Sequence, residues 1–182
     1  MTQALILIDL QNDYFPGGRM ELVGSDAAVG QAARLLDAFR QRGRPVVHVQ
    51  HVSTRAGASF FLPDTAGVQI HASVQPKVSD RVVVKHFPNA FRETELQAAL
   101  RDAGATTLVF AGMMTHMCVD TTVRAAADLG WTCRLAHDAC ATRDLQFGAH
   151  AVAAADVQLA YLAALNGAFA AVRPAAELAA EA

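Results

Sequence analysis

Three residues far apart in the chain carry the strongest chemical signal: Asp9, Lys85 and Cys118. The cysteine lies in Leu108-Val109-Phe110-Ala111-Gly112-Met113-Met114-Thr115-His116-Met117-Cys118-Val119-Asp120. Leu108 to Ala111 is a short apolar run of the kind that forms a buried strand, and Gly112 ends it. Val119, Thr122, Val123, Ala126 and Leu129 then keep helical spacing up to Gly130, which places Cys118 at the first turn of a helix. Unpaired N–H groups and partial positive charge at a helix start favour thiolate over thiol. A thiol brought below its ordinary pKa of about 8.5 is a usable nucleophile at neutral pH. Read alone, Cys118 is either that nucleophile or a small buried apolar residue, as free cysteines usually are.

The elements around these residues follow from apolar patterning. Ala4 to Ile8 is an unbroken, β-branched run, expected as a strand covered on both faces. Asp9 follows it, and Gln11 to Val23 is a loop punctuated by Pro16-Gly17-Gly18. Ser25 offers an N-cap for a helix whose apolar face runs through Ala28, Ala32, Leu35, Leu36 and Phe39 to Gly43. Pro45 to Val52 reads as a second strand, and residues 53–79 as a long connection of the kind that serves as a lid or binding loop. Asp80 to Lys85 is a third strand, Glu93 to Ala103 a helix, and Trp131 to Ala136 a fifth strand. One or two helices are expected between Gly148 and Leu165, a short strand at Phe169 to Val172, and a last helix after Pro174.

Alternating strands and helices predict an α/β fold, with ligands bound beyond the carboxyl ends of the parallel strands. Asp9, Lys85 and Cys118 each stand at or just past such an end, so one crevice should gather them. Each has a structural alternative: Asp9 as a loop cap or an ion-pair partner of Lys85, and Lys85 as a base snorkelling from a strand end. Together they form a workable mechanism. Asp9 would take the thiol proton, Lys85 would hold the carboxylate and thiolate by charge, and N–H groups around Met114 and Cys118 would hold an oxyanion.

Composition narrows the field. At 182 residues the chain fits a single domain over 1–182, and a net charge of −2 gives no footprint for nucleic acid or an acidic membrane surface. No apolar run approaches the ~18 residues of a membrane span, and residues 1–10 read as a first strand rather than a signal peptide. Three cysteines, an odd number without a secretory signal, fit a reducing, cytoplasmic setting. A doubly wound nucleotide-binding oxidoreductase fits poorly, because Asp9-Leu10-Gln11-Asn12 stands where a Gly-rich turn belongs.

Leu7-Ile8-Asp9-Leu10-Gln11-Asn12-Asp13, Val84-Lys85 with Asn89-Ala90-Phe91, Gly112 to Val119, and Asp138-Ala139-Cys140-Ala141-Thr142 resemble the isochorismatase-like cysteine hydrolases over nearly the whole chain. The resemblance implies a three-layer α/β/α fold with a six-stranded, mainly parallel doubly wound sheet. It implies an Asp9-Lys85-Cys118 triad, a cis peptide at Met113-Met114 and an oxyanion hole from Met114 and Cys118. Nicotinamidases of that family carry an Asp-x-His metal motif after the second strand. Here Val49-Gln50-His51 replaces it, and His51 with His71 would make a poor site by themselves. The expectation is therefore a cofactor-free and metal-free amidohydrolase. It would act on a small amide, ureide or carbamoyl compound through a covalent intermediate on Cys118. Alternatives are a nicotinamidase or isochorismatase-type activity, or an idle small-molecule-binding oligomer. Phe15, Phe60, Phe61, Phe87, Phe91, Met114 and His116 are candidate pocket residues, with Phe60-Phe61 favoured. Cys133, in a strand, and Cys140, in a loop, are expected to be inert. The Ala-rich helices around Ala149 to Ala164 suggest contacts with further copies of the chain.

Overall fold

A computed structural model describes residues 2–182. Six strands share one sheet: β1 (Thr2–Ile8), β2 (Val46–His51), β3 (Arg81–Lys85), β4 (Ala105–Met113), β5 (Thr132–Ala141) and, after a hairpin of β6 (Leu145–Phe147) and β7 (His150–Val152), β8 (Ala171–Arg173). Their order is β3-β2-β1-β4-β5-β8, and every pairing is parallel. The sequence reverses direction around β1, so the ends of β3, β2, β1 and β4 lie side by side at the switch in strand order.

Strand alternation divides the core into two layers. Leu5, Leu7, Val109 and Ala111 face α1 (Ser25–Gln41) and α5 (Ala175–Ala180), contributing with Leu35, Leu36, Phe39 and Leu178 to one apolar cluster. Ile6, Ile8, Val47, Val49, Leu108 and Phe110 face the other way. They meet Leu96 and Leu100 of α2 (Leu96–Asp102), Val123 and Ala126 of α3 (Asp120–Asp128), and Leu165 of α4 (Ala154–Leu165). The expected α/β/α layering is thus the observed one.

Local differences have local causes. Gly24, at φ 76°, is the N-cap of α1, and Ser25 is its first helical residue. α2 starts at Leu96 rather than Glu93, because Glu93 takes φ 56° and the Thr94 hydroxyl accepts the Leu96 N–H at 3.3 Å. β5 runs past Ala136 to Ala141: a register shift against β4 between Phe110 and Gly112 lets pairing resume at Gly112–Cys140. Cys140 therefore lies in a strand, not a loop. The β6–β7 hairpin was not expected, and α4 begins only after it.

The connection over residues 53–79 is held from Gln11, Asn12 and Asp13. Asn12 N donates to Gln69 O at 3.0 Å and Asp13 N to Gly67 O at 2.9 Å, while Gln11 Nε2 donates to Val68 O at 2.7 Å. The Asp13 carboxylate accepts the Phe61 N–H at 2.6 Å.

Gly112 sets the strand junction beneath Asp9. It holds φ 140°, and a Cβ there would overlap the Ile8 carbonyl. Gly112→Ala is expected to lower unfolding free energy by at least ~2 kcal/mol and to move Asp9 out of place. Urea denaturation with a turnover assay measures both; a loss below ~0.5 kcal/mol would show that Ile8 yields freely.

Candidate active site

The sheet edge assembles one cluster. Lys85 closes β3, His51 closes β2 and pairs with it in register, Asp9 follows β1, and Cys118 lies beyond β4. Neighbouring strands are about 4.8 Å apart, so a side chain on β3 must cross β2 to meet a group beyond β1, which suits a long one such as lysine. Lys85 Nζ lies 2.8 Å from Asp9 Oδ2, 2.9 Å from His51 Nδ1 and 3.2 Å from Cys118 Sγ. Asp9 and Lys85 are fully buried and Cys118 is nearly so. Asp9 holds φ 52°, with its N–H donated to Val49 O at 3.0 Å and its carbonyl accepting from Gln11 N at 2.9 Å. The Gln11 amide brackets His51, accepting its N–H at 2.7 Å and donating to its carbonyl at 2.8 Å.

Cys118 belongs to a π-helical turn, Thr115–Val119, that leads into α3. The Met117 and Val119 N–H groups both return to the Met114 carbonyl, at 3.0 and 3.3 Å, and Thr115 Oγ1 donates to Ala141 O at 3.2 Å. The Met113–Met114 peptide preceding this turn is cis. Asn89 to Phe91, part of the resemblance, acts as a brace: Ala90 N donates to Thr122 Oγ1 of α3 at 3.1 Å. Asp138 is likewise structural, accepting the Ala175 N–H at the start of α5 at 2.7 Å.

Electrostatics correct one expectation. Burial pushes the Cys118 thiol up, the Asp9 carboxylate pushes it further, and the Lys85 charge only partly opposes them. The resting group is a thiol, and the helix start does not make it a thiolate. Burial also opposes the Lys85 charge, but the Asp9 carboxylate outweighs it and the ammonium is held above its ordinary range. His51 falls to about 4 through burial and then the Lys85 charge. It is neutral at pH 7, so with Nδ1 accepting from Lys85 its proton sits on Nε2. Burial pushes Cys133 and Cys140 up to about 12 each. Acidity does not set Cys118 apart; its neighbours do.

Asp9, His51 and Cys118 offer donor atoms within 4.8 Å of one another, close enough for a metal ion. The Lys85 ammonium contacts all three, and a divalent cation among them would face that charge at short range. The donor set does not fit a metal. His71 lies elsewhere, stacked on Phe15 at 4.0 Å with its Nδ1 accepting from Ser73 N.

A cavity of about 390 Å³ opens onto Cys118 and is also lined by Tyr14, His51, Arg55, Phe60, Met114 and Arg143. His116 lines it too, its Nδ1 paired with the Thr142 hydroxyl. Phe61 does not. Its left-handed backbone, at φ 54°, places it among the buried core residues, with its ring 4.5 Å from that of Tyr14. Phe15 is buried against His71, Phe87 lies under the Arg92 guanidinium, and Phe91 stacks on Trp131; none lines the cavity. Of the phenylalanine candidates, Phe60 lines this cavity, and Phe15, Phe61, Phe87 and Phe91 lie elsewhere. Arg55, Arg143 and Tyr14 were missed because loop position alone gives no spacing signal.

The isochorismatase domain model matches residues 3–167. The chain belongs to the isochorismatase family. It is 49% identical to the isochorismatase family protein YddQ of Bacillus subtilis (strain 168), over 95% of this chain and 96% of that protein. It is 52% identical to an isochorismatase hydrolase of Oleispira antarctica known from a crystal structure, with a TM-score of 0.95 over 98% of this chain and 96% of that one. Nicotinamidase of Escherichia coli (strain K12) is 30% identical over 79% of this chain and 85% of that enzyme. Ureidoacrylate amidohydrolase RutB of Methylobacterium radiotolerans is 30% identical over 68% and 60%. The family is one of hydrolases.

Charge signs at Cys118 lead to opposite outcomes for its two neighbours. Asp9→Asn removes the charge that, after burial, raises the thiol pKa, so labelling by iodoacetamide at pH 7 should quicken about 10-fold or more. Lys85→Met removes what lowers it and should slow labelling. Peptide mass spectrometry across pH 6–10 reads both, and equal rates in the two variants would contradict this electrostatic account.

Proposed function

We propose that the chain is a cysteine amidohydrolase that cleaves the C–N bond of a small amide, ureide or carbamoyl compound. The observation that carries this reading is the contact of one ammonium, Lys85 Nζ, with the Asp9 carboxylate and the Cys118 thiol at the floor of a cavity. The nicotinamidase and amidohydrolase activities named for two relatives support the bond type.

As substrate enters, Sγ of Cys118 attacks the carbonyl carbon while its proton passes to Asp9. The new C–S bond leaves an oxyanion that the N–H groups of Met114 and Cys118 hold. Collapse breaks the C–N bond, and Asp9 returns the proton to the departing amine. Water, losing its proton to Asp9, then attacks the thioester; the C–S bond breaks, the acid leaves, and Asp9 passes that proton to Sγ to restore the thiol. Lys85 pairs with Asp9 and offsets negative charge on sulfur. A raised resting pKa is compatible with this order, because the thiolate is needed only in the attacking complex.

Ammonia release from a panel of small amides, ureides and nicotinamide tests the reading. Cys118→Ala should abolish turnover and Asp9→Asn should lower it by about 10²- to 10⁴-fold, while dialysis against a chelator should change nothing. Substantial activity in Cys118→Ala would remove sulfur from the mechanism, and activity restored by zinc, manganese or iron after chelation would remove its metal independence.

We also infer self-association through α4 and the neighbouring hairpin. Leu159 is 69% exposed and Phe147 86%, beside exposed Ala155, Ala160, Ala163 and Ala164. Apolar surface of this kind favours a subunit contact. Light scattering should give a mass well above 19.3 kDa, whereas Leu159→Glu should lower it; a monomer in the native chain would refute the contact.

A further inference from the structure

The wall of the Cys118 cavity has one sign. Its charged lining residues are Arg55 and Arg143, beside the neutral His51, and no aspartate or glutamate lines it. Seventeen acidic residues and a net charge of −2 make that separation notable, since the chain as a whole is slightly acidic. Carboxylates that come near are already engaged. Asp9 pairs with Lys85 beneath the cavity, and Asp120 pairs with Arg124 at 2.9 Å. The Asp144 side chain accepts the Ala154 N–H at 2.7 Å, at the start of α4. Asp13 accepts from the Arg19 and Phe61 amides.

Neither Arg55 nor Arg143 has a carboxylate partner among the described residues; Arg143 makes one bond, to the Asp144 carbonyl at 3.2 Å. Arg143 follows Thr142, which holds His116, so its guanidinium belongs to the wall on the β5 side. Arg55 comes from the loop after β2. The Lys85 charge adds little to this field, because Asp9 cancels it at 2.8 Å.

We propose that this cavity selects small organic anions, and that the scissile amide or ureide belongs to a molecule bearing a carboxylate that Arg143 and Arg55 grip. This deepens the amidohydrolase reading and rests on Cys118 being its nucleophile. A planar guanidinium matches a carboxylate with two parallel hydrogen bonds, and a cleft of one sign raises the local concentration of oppositely charged ligands. A cavity of about 390 Å³ suits a compact ligand. Grip at the carboxylate would leave the carbonyl at the floor, against Sγ.

The test compares two reagents that differ in charge alone at the reacting end, iodoacetate and iodoacetamide, on Cys118 of the intact protein. Both form the S–C bond and expel iodide, but free cysteine thiolate reacts more slowly with the anion. The expected iodoacetate-to-iodoacetamide rate ratio at Cys118 is at least ~10-fold above that of free cysteine. In the doubly substituted Arg55→Gln, Arg143→Gln protein it should fall to the free-cysteine value, and in Arg143→Lys it should stay above it. Rates are read per cysteine by peptide mass spectrometry, with Cys133 and Cys140 of the urea-unfolded protein as internal references and a melting curve for each variant. A wild-type ratio equal to that of free cysteine, or one that survives loss of both arginines, overturns anion selection and leaves the amidohydrolase reading standing. Failure of Cys118 to react with either reagent even in Asp9→Asn, where the neighbouring carboxylate no longer holds the thiol protonated, overturns both.

Discussion

The site depends on a single buried ammonium. Lys85 Nζ is enclosed by Asp9, His51 and Cys118, and nothing about that position is favourable without them. Removing a charge from water costs several kcal/mol, and a partner at ion-pair distance with further hydrogen bonds is what offsets it. The same requirement constrains the fold. Four strand ends must lie side by side for the residues to meet, and the order β3-β2-β1-β4 supplies that. Two apolar layers then exclude solvent from above and below, which strengthens every electrostatic contact at the edge.

Protons in the resting site balance. Asp9 and Lys85 cancel, while Cys118 and His51 are neutral, so the enclosed cluster carries no net charge. A resting thiolate would have added a third charge beside Asp9, and burial would have made it costly. The arrangement keeps sulfur quiet until a carbonyl arrives to share the developing charge. His51 contributes by accepting from Lys85, which fixes the direction in which the ammonium points its remaining hydrogens.

Much of this was legible in the amino-acid order. Asp9 and Lys85 are polar residues closing unbroken apolar strands, and such a placement points at the carboxyl edge of a parallel sheet. Cys118 was legible from the strand-glycine-helix pattern, although its π-helical turn was not, since a π turn has no spacing of its own. His51 stood in view as well, but it was weighed as a metal ligand, and only the position of Lys85 in space shows that an ammonium occupies that role. Phe61 could not be placed: its direction follows from a left-handed backbone imposed by Asp13, some 48 positions earlier. The β6–β7 hairpin was hidden by its brevity, three residues to a strand. β5 outran its apolar pattern because a bulge restored its register.

The loop after β2 is fastened at its base and loose at its crown. Ser53 N donates to Phe61 O at 2.9 Å and Phe61 N to Asp13, whereas between them the one backbone bond, Ala58 N to Arg55 O, stays within the loop. Closing such a loop costs nearly the same whether it gains or loses a few residues. The crown can therefore change length, and with it the guests admitted, while the ammonium and its three partners stay where the strand ends hold them. One scaffold can in this way diversify its menu of substrates without rebuilding its reactive centre.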